Sequence, residues 1–129
     1  MEAIIVPSTR QKVWDTEPLR GPTQARDAYT GPAFRAWRAF AEAADCPWYI
    51  LSTKYGFVLP EWAITNYSVP ISEAEADSEF VAELKTQARA FGLDRCTSVV
   101  VLDLERFETL VRRAVGQPGP PVRLHKILY

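Results

Sequence analysis

Three short apolar runs restrict this chain more than any other feature: Ala3-Ile4-Ile5-Val6, Trp48-Tyr49-Ile50-Leu51 and Thr97-Ser98-Val99-Val100-Val101-Leu102. Each has the length and the β-branched or aromatic content of a buried strand. The stretches between them are long enough to hold helices. Strands joined by helix-sized crossovers run parallel, and a parallel sheet is covered on both faces. The expected fold is therefore α/β, with three α/β/α layers around a small, mostly parallel central sheet, built from residues 1–129 as a single domain.

The remaining elements follow from periodicity and punctuation. Residues 8–22 are polar, with Pro18, Gly21 and Pro22, and read as a long loop. Thr23 is suited to cap a short helix reaching Tyr29, and Pro32 suits the first position of the next, whose stripe is Ala33, Trp37, Phe40, Ala41 and Ala44. After the second strand, Thr53 to Ile71 reads as loop, with one helical turn near Glu61–Ile64. Ser72-x-x-Glu75 is a capping box that should open the longest helix, striped by Phe80, Leu84, Ala88 and Phe91 and stopped by Gly92. Asp103 is placed to cap the last helix, with Leu104, Phe107, Leu110, Val111 and Ala114 inward and Gly116 at its end. Val122 to Tyr129 is a tail or a final edge strand.

Composition narrows the function classes. Fifteen basic residues against sixteen acidic ones give a net charge of -1, so no global field draws the chain to a phosphate backbone. The basic residues Arg10, Lys12, Arg20, Arg26, Arg35, Arg38 and Lys54 lie in the first half, whereas Glu73 to Glu83 is acidic. That asymmetry points to an anionic ligand near the N-terminal motifs. No apolar run is long enough to span a membrane, and no leader pattern is visible, so a cytoplasmic location is expected. Cys46 and Cys96 lack Cys-x-x-Cys partners and read as reduced thiols. His125 is the only histidine, which leaves metal sites and histidine-dependent triads without support. No metal or cofactor is expected.

The candidate chemistry sits in two loops of like composition. Ser8-Thr9-Arg10-Gln11-Lys12 follows the first strand, and Ser52-Thr53-Lys54-Tyr55-Gly56 follows the second. Neighbouring parallel strands bring both loops to the carboxyl edge of the sheet, where open α/β sheets place their ligands. Hydroxyls, cations and free amides there can meet an anion, and Gly56 can admit close backbone approach. Neither loop carries the phosphate-binding or dinucleotide glycine pattern. Tyr29 and Tyr67 stand beside turns, where a tyrosine can stack on a base or only cover the core. Ser8 or Ser52 as a nucleophile needs a base, and Lys12 and Lys54 are nearest. Asp15, Glu17, Asp27 and Glu61 are the nearby acids, and acid–base work by a pair would need two of them close in space.

Together, Ser8-x-x-x-Lys12, Ala28-Tyr29-Thr30-Gly31-Pro32-x-Phe34, Trp48 through Pro60, and Ile64-x-x-Tyr67 resemble the small domains related to the peroxide-stress protein YaaA. They are also similar to domains appended to archaeosine-type tRNA-modifying enzymes. Members usually read Cys-x-x-x-Lys, Leu-Tyr-x-x-x-Phe and Leu-Ser-Ala-Lys-Tyr/His-Gly-Leu at these motifs. The resemblance covers about residues 3–70. Ser8 stands where cysteine is common, and Thr53 where a small residue is common. A serine hydroxyl ionises far less readily than a thiol, so any role of that cysteine is in doubt here.

The resemblance implies an α/β fold, a pocket formed by the first two strand loops, and a link to nucleotides, nucleic acids or nucleobase modification. The expected function is a ligand-binding or catalytic domain for a nucleoside, nucleotide or nucleobase, with hydrolase- or transferase-like chemistry at a glycosidic bond. Its pocket would use Ser8, Arg10, Lys12, Tyr29, Ser52, Lys54, Tyr55, Gly56 and Tyr67. A non-catalytic nucleic-acid-binding module and an accessory or stress-response module are the alternatives.

Overall fold

The structure is a computed structural model and describes residues 1–127. In chain order its elements are β1 (Glu2–Pro7), a 3₁₀ turn (Val13–Asp15), β2 (Thr23–Gln24), α1 (Ala25–Ala28), α2 (Pro32–Ala43), β3 (Trp48–Ser52), β4 (Gly56–Val58) and β5 (Ala63–Ile64). There follow α3 (Ile71–Ala76), α4 (Ser78–Phe91), a second 3₁₀ turn (Leu93–Arg95), β6 (Ser98–Leu102), α5 (Glu105–Val115) and β7 (Val122–His125). The main sheet has the order β4-β3-β1-β6-β7, parallel except for β4. Among the described residues, no helix is long and apolar enough to cross a membrane.

Strand alternation splits the interior into two cores. Ile4, Val6, Ile50, Val100 and Leu102 face Phe34, Trp37 and Ala41 of α2. Ala3, Ile5, Leu51, Val99 and Val101 face Leu84 and Ala88 of α4 and Phe107, Leu110 and Val111 of α5. The sheet is thus covered on both sides, as a three-layer α/β fold requires. Leu51, Leu84 and Leu110 are fully buried, and truncating any of them to Ala should cost about 2–5 kcal/mol.

Several local expectations give way to competing contacts. Thr23 does not cap a helix. It pairs with Ile64 in a two-stranded sheet, leaving α1 only four residues long. In place of the helical turn expected at Glu61–Ile64, the chain makes a tight turn closed by Trp62 N to Leu59 O and then strand β5. The Ser72-x-x-Glu75 box does not open the longest helix. The chain is extended at Asp77, whose carboxylate accepts from Glu79 N and Phe80 N and starts α4. Asp103 does not cap α5 either: Leu104 holds that position without a side-chain bond, and Asp103 turns inward with φ 59°. Gly92 ends α4 in the left-handed region, as its position implies. The tail from Val122 forms β7 along β6, while Leu128 and Tyr129 lie outside the described residues.

Candidate functional site

The chain leaves β1 toward β3 on one side and leaves β6 toward β7 on the other. The crevice above β1 and β6 is therefore the switch point where doubly wound sheets accept ligands. An open groove of about 1330 Å³ lies there. Its walls are the loop after β1, the segment Asn66–Ser72 that leads into α3, and the β6–α5 junction at Leu104, Arg106 and Phe107, with Thr53 contributed by the loop after β3.

The first loop is held from both ends. Ser8 N donates to Leu51 O at 3.1 Å, which ties the loop to the end of β3. Lys12 bridges to Tyr29, and Lys12 N donates to Asp15 Oδ2 at 2.9 Å. This backbone path turns the Lys12 side chain inward until the residue is only 6% exposed. Its ammonium stands 4.5 Å from the Tyr67 ring centroid and reaches Arg10 O at 3.4 Å. Burial lowers the affinity of Lys12 for its proton, while Asp15 partly restores it; the net shift is downward from the ordinary lysine value. Neither Lys12 nor Arg10 has a carboxylate partner among the described residues. Arg106, by contrast, is paired with Glu75.

The second loop is the turn of a hairpin. Ser52 pairs with Gly56 at φ 78°, so β3 folds back into β4. Gln87 of α4 clasps this turn: its Oε1 accepts from Phe57 N at 2.8 Å and its Nε2 donates to Tyr55 O at 3.0 Å. A Cβ on Gly56 would overlap Gln87 Oε1. The glycine makes room for a glutamine, so the close approach it permits is to the protein's own side chain.

The segment Asn66–Ser72 has no regular structure before Ile71, yet side chains fasten it. Thr53 Oγ1 donates to Val69 O at 2.7 Å, and the Tyr55 and Thr65 hydroxyls meet at 2.7 Å. Ser52 Oγ donates to the Tyr67 hydroxyl at 2.8 Å, and Tyr67 meets Tyr29 at 2.5 Å.

The predicted residues therefore separate into three groups. Ser8, Arg10, Lys12 and Tyr67 line the groove together. Ser52, fully buried, and Tyr29, 3% exposed, lie behind it and touch Tyr67. Ser52 is sealed from any substrate, and Tyr29 has no face to offer a base. Lys12 covers one side of the Tyr67 ring and Tyr55 meets it edge-on at 5.6 Å, so Tyr67 is poorly placed for stacking as well. Lys54, Tyr55 and Gly56 sit off the groove, with the Lys54 ammonium 5.1 Å from the Tyr55 ring. Burial raises the Tyr55 phenol, but the Thr65 hydroxyl and amide and the Lys54 charge outweigh it and leave the phenol below its usual range. Burial, helped by Tyr67, pushes the Tyr29 phenol well above that range.

Of the four candidate acids only Asp15 lines the groove; Asp27 pairs with Arg38 and Glu17 with Arg20. No carboxylate pair lines the groove among the described residues. Among the described residues, no three His, Cys, Asp or Glu side chains gather closely enough to hold a metal ion, and Cys46 and Cys96 are free thiols. Arg106, Asn66 and Ser68 were missed as groove residues. Arg106 follows the carboxyl end of the third parallel strand, which is a usable signal; Asn66 and Ser68 gave none.

No solved structure matches this chain. It is 29% identical over 114 residues to the uncharacterized protein YfjM of Bacillus subtilis (strain 168), an alignment covering 88% of this chain and 76% of that protein. Residues 15–123, most of the chain, match the family of unknown function DUF6884, and the chain belongs to that family.

Proposed function

We propose that the groove binds a nucleoside or nucleotide, with its anionic end at Lys12 and Arg10. The supporting observation is Lys12 itself, a buried cation on the groove wall with no carboxylate partner among the described residues. Buried charges are ordinarily paired, and an incoming phosphate supplies the missing partner. Exposed Leu104 on the same wall suits an apolar ring face. The resemblance of residues 3–70 to domains related to YaaA supports the nucleotide class. Chemistry at a glycosidic bond would fall to Asp15, the one carboxylate lining the groove among the described residues, whose charge can stabilise a cationic sugar.

A thermal-shift titration with AMP, ribose 5-phosphate and inorganic phosphate tests this. Saturation at a hundred times Kd should stabilise the wild type by about 2.7 kcal/mol, and Lys12→Met should abolish the shift. No shift with any probe, or equal shifts in both proteins, contradicts the proposal. The groove is also open and larger than one nucleotide needs, which favours a second reading in which the nucleotide belongs to a single strand. Oligonucleotide affinity falling steeply with salt would support that reading.

A further inference from the structure

The Ser52, Tyr67 and Tyr29 hydroxyls hold one proton each, and only two links join them. Ser52 Oγ already accepts from Lys54 N at 3.1 Å and Tyr55 N at 3.0 Å. With its acceptor sites taken, it spends its own proton on Tyr67 at 2.8 Å. The 2.5 Å contact between Tyr67 and Tyr29 consumes one phenolic proton. The other phenolic proton has no acceptor among the described residues. If it belonged to Tyr29, which is 3% exposed, an unmade donor would be sealed in the core, a costly polar defect. If it belongs to Tyr67, whose side chain lines the groove, a ligand can take it.

We propose that Tyr67 presents its phenolic O–H to an anionic oxygen of the ligand, and that Ser52 and Tyr29 are positioning residues donating to it from behind. This rests on the reading of the groove as a nucleotide site and names where the phosphate oxygen sits. A phenol that accepts two hydrogen bonds is polarised toward donating its own. Because the donor is fixed before the ligand arrives, binding needs little reorganisation. The Lys12 ammonium, 4.5 Å from the Tyr67 ring centroid, supplies the charge beside that donor. Tyr67 is then a phosphate ligand with its ring covered, and the recognition of a base falls elsewhere on the groove.

Two arms test this, one of them without a ligand. In protein carrying ¹³Cζ-tyrosine, in mixed H₂O and D₂O, a slowly exchanging hydroxyl gives a split Cζ signal and a fast one gives a single averaged line. Tyr29 should be split and Tyr67 averaged; the reverse overturns the assignment of the protons. In the second arm AMP is titrated calorimetrically. Tyr67→Phe, which keeps the ring, should weaken AMP by about ten-fold or more, the weight of one charge-assisted hydrogen bond. Tyr29→Phe should weaken it by a smaller factor, leave the Tyr67 Cζ line averaged, and move its chemical shift, which reports the hydrogen bonds the phenolic oxygen accepts. Unchanged AMP affinity in Tyr67→Phe overturns the proposal and leaves the groove reading standing. If the wild type binds neither AMP nor phosphate, the groove reading fails, and so does the phosphate role given to Tyr67; the exchange pattern then reports only which phenol keeps the free proton.

Discussion

Trp37 donates its indole N–H to Asp103 Oδ2 at 2.6 Å, joining α2 to the end of β6 across 66 positions of sequence. Asp103 Oδ1 accepts from Ile127 N at 2.6 Å, and Asp103 O accepts from Lys126 Nζ at 2.8 Å. One residue thus ties a helix, a strand end and the chain after β7. Asp103 reaches all three because it sits at φ 59°, a conformation that Asp and Asn tolerate better than most residues.

Asp103→Ala should therefore destabilise the fold by about 3 kcal/mol, combining two lost charge-assisted bonds with the strain of Ala at positive φ. Trp37→Phe should cost about 2 kcal/mol, since it leaves a buried carboxylate oxygen short of a donor. Urea denaturation measures both, and losses below about 0.5 kcal/mol would show that the link is incidental.

Gly56→Ala faces both a φ of 78° and overlap with Gln87 Oε1. A destabilisation of about 2 kcal/mol or more is expected. Gln87→Ala should also destabilise, because Phe57 N and Tyr55 O lose their partner. The double variant should be less unstable than the sum, since the clash disappears with the glutamine. Strict additivity in the same denaturation experiment would contradict the clasp.

Lys12 makes stability depend on pH in a definite direction. Its proton affinity is lowered in the folded protein, so the unfolded chain binds more protons in the window between that lowered value and the ordinary 10.5. Stability contributed at this site therefore rises as pH rises through the window. Melting curves of the wild type and Lys12→Met should converge on going from neutral to alkaline pH, with the variant the more stable at neutral pH. Comparing the two cancels the opposite trend from Tyr29, whose raised phenol costs stability above the ordinary tyrosine range. Curves that stay parallel would show that the Lys12 charge is not under strain.

Asp77→Ala should cost α4 about 1 kcal/mol, the usual worth of an N-cap. Ser72→Ala should cost almost nothing, because Ser72 makes no capping bond. Equal losses would restore the capping box as the start of the helix.

Periodicity was enough for β1, β3, β6, α2 and α5, where a strongly apolar stripe meets a clear start or stop. It failed where a long-range partner outbids a local signal. Thr23 has the chemistry of a cap but is drawn into pairing with Ile64, and Asp103 has the same chemistry but is claimed by Trp37. The carboxyl edge of the sheet was legible as the place to look, because two polar loops follow parallel strands. The division of labour there was not. Lys54 and Lys12 sit in similar motifs, yet the β3–β4 hairpin carries Lys54 off the groove, and the Lys12–Tyr29 bridge turns Lys12 into it. Short pairings such as these leave little trace in a periodicity pattern.

Backbone amide NMR during an AMP titration tests the central claim most directly. Binding at the groove predicts shift changes grouped at Ser8–Lys12, Asn66–Ser72 and Leu104–Arg106, and their loss in Lys12→Met. An absence of changes at millimolar AMP, or changes confined to Arg112–Val122 at the other end of α5, would contradict it.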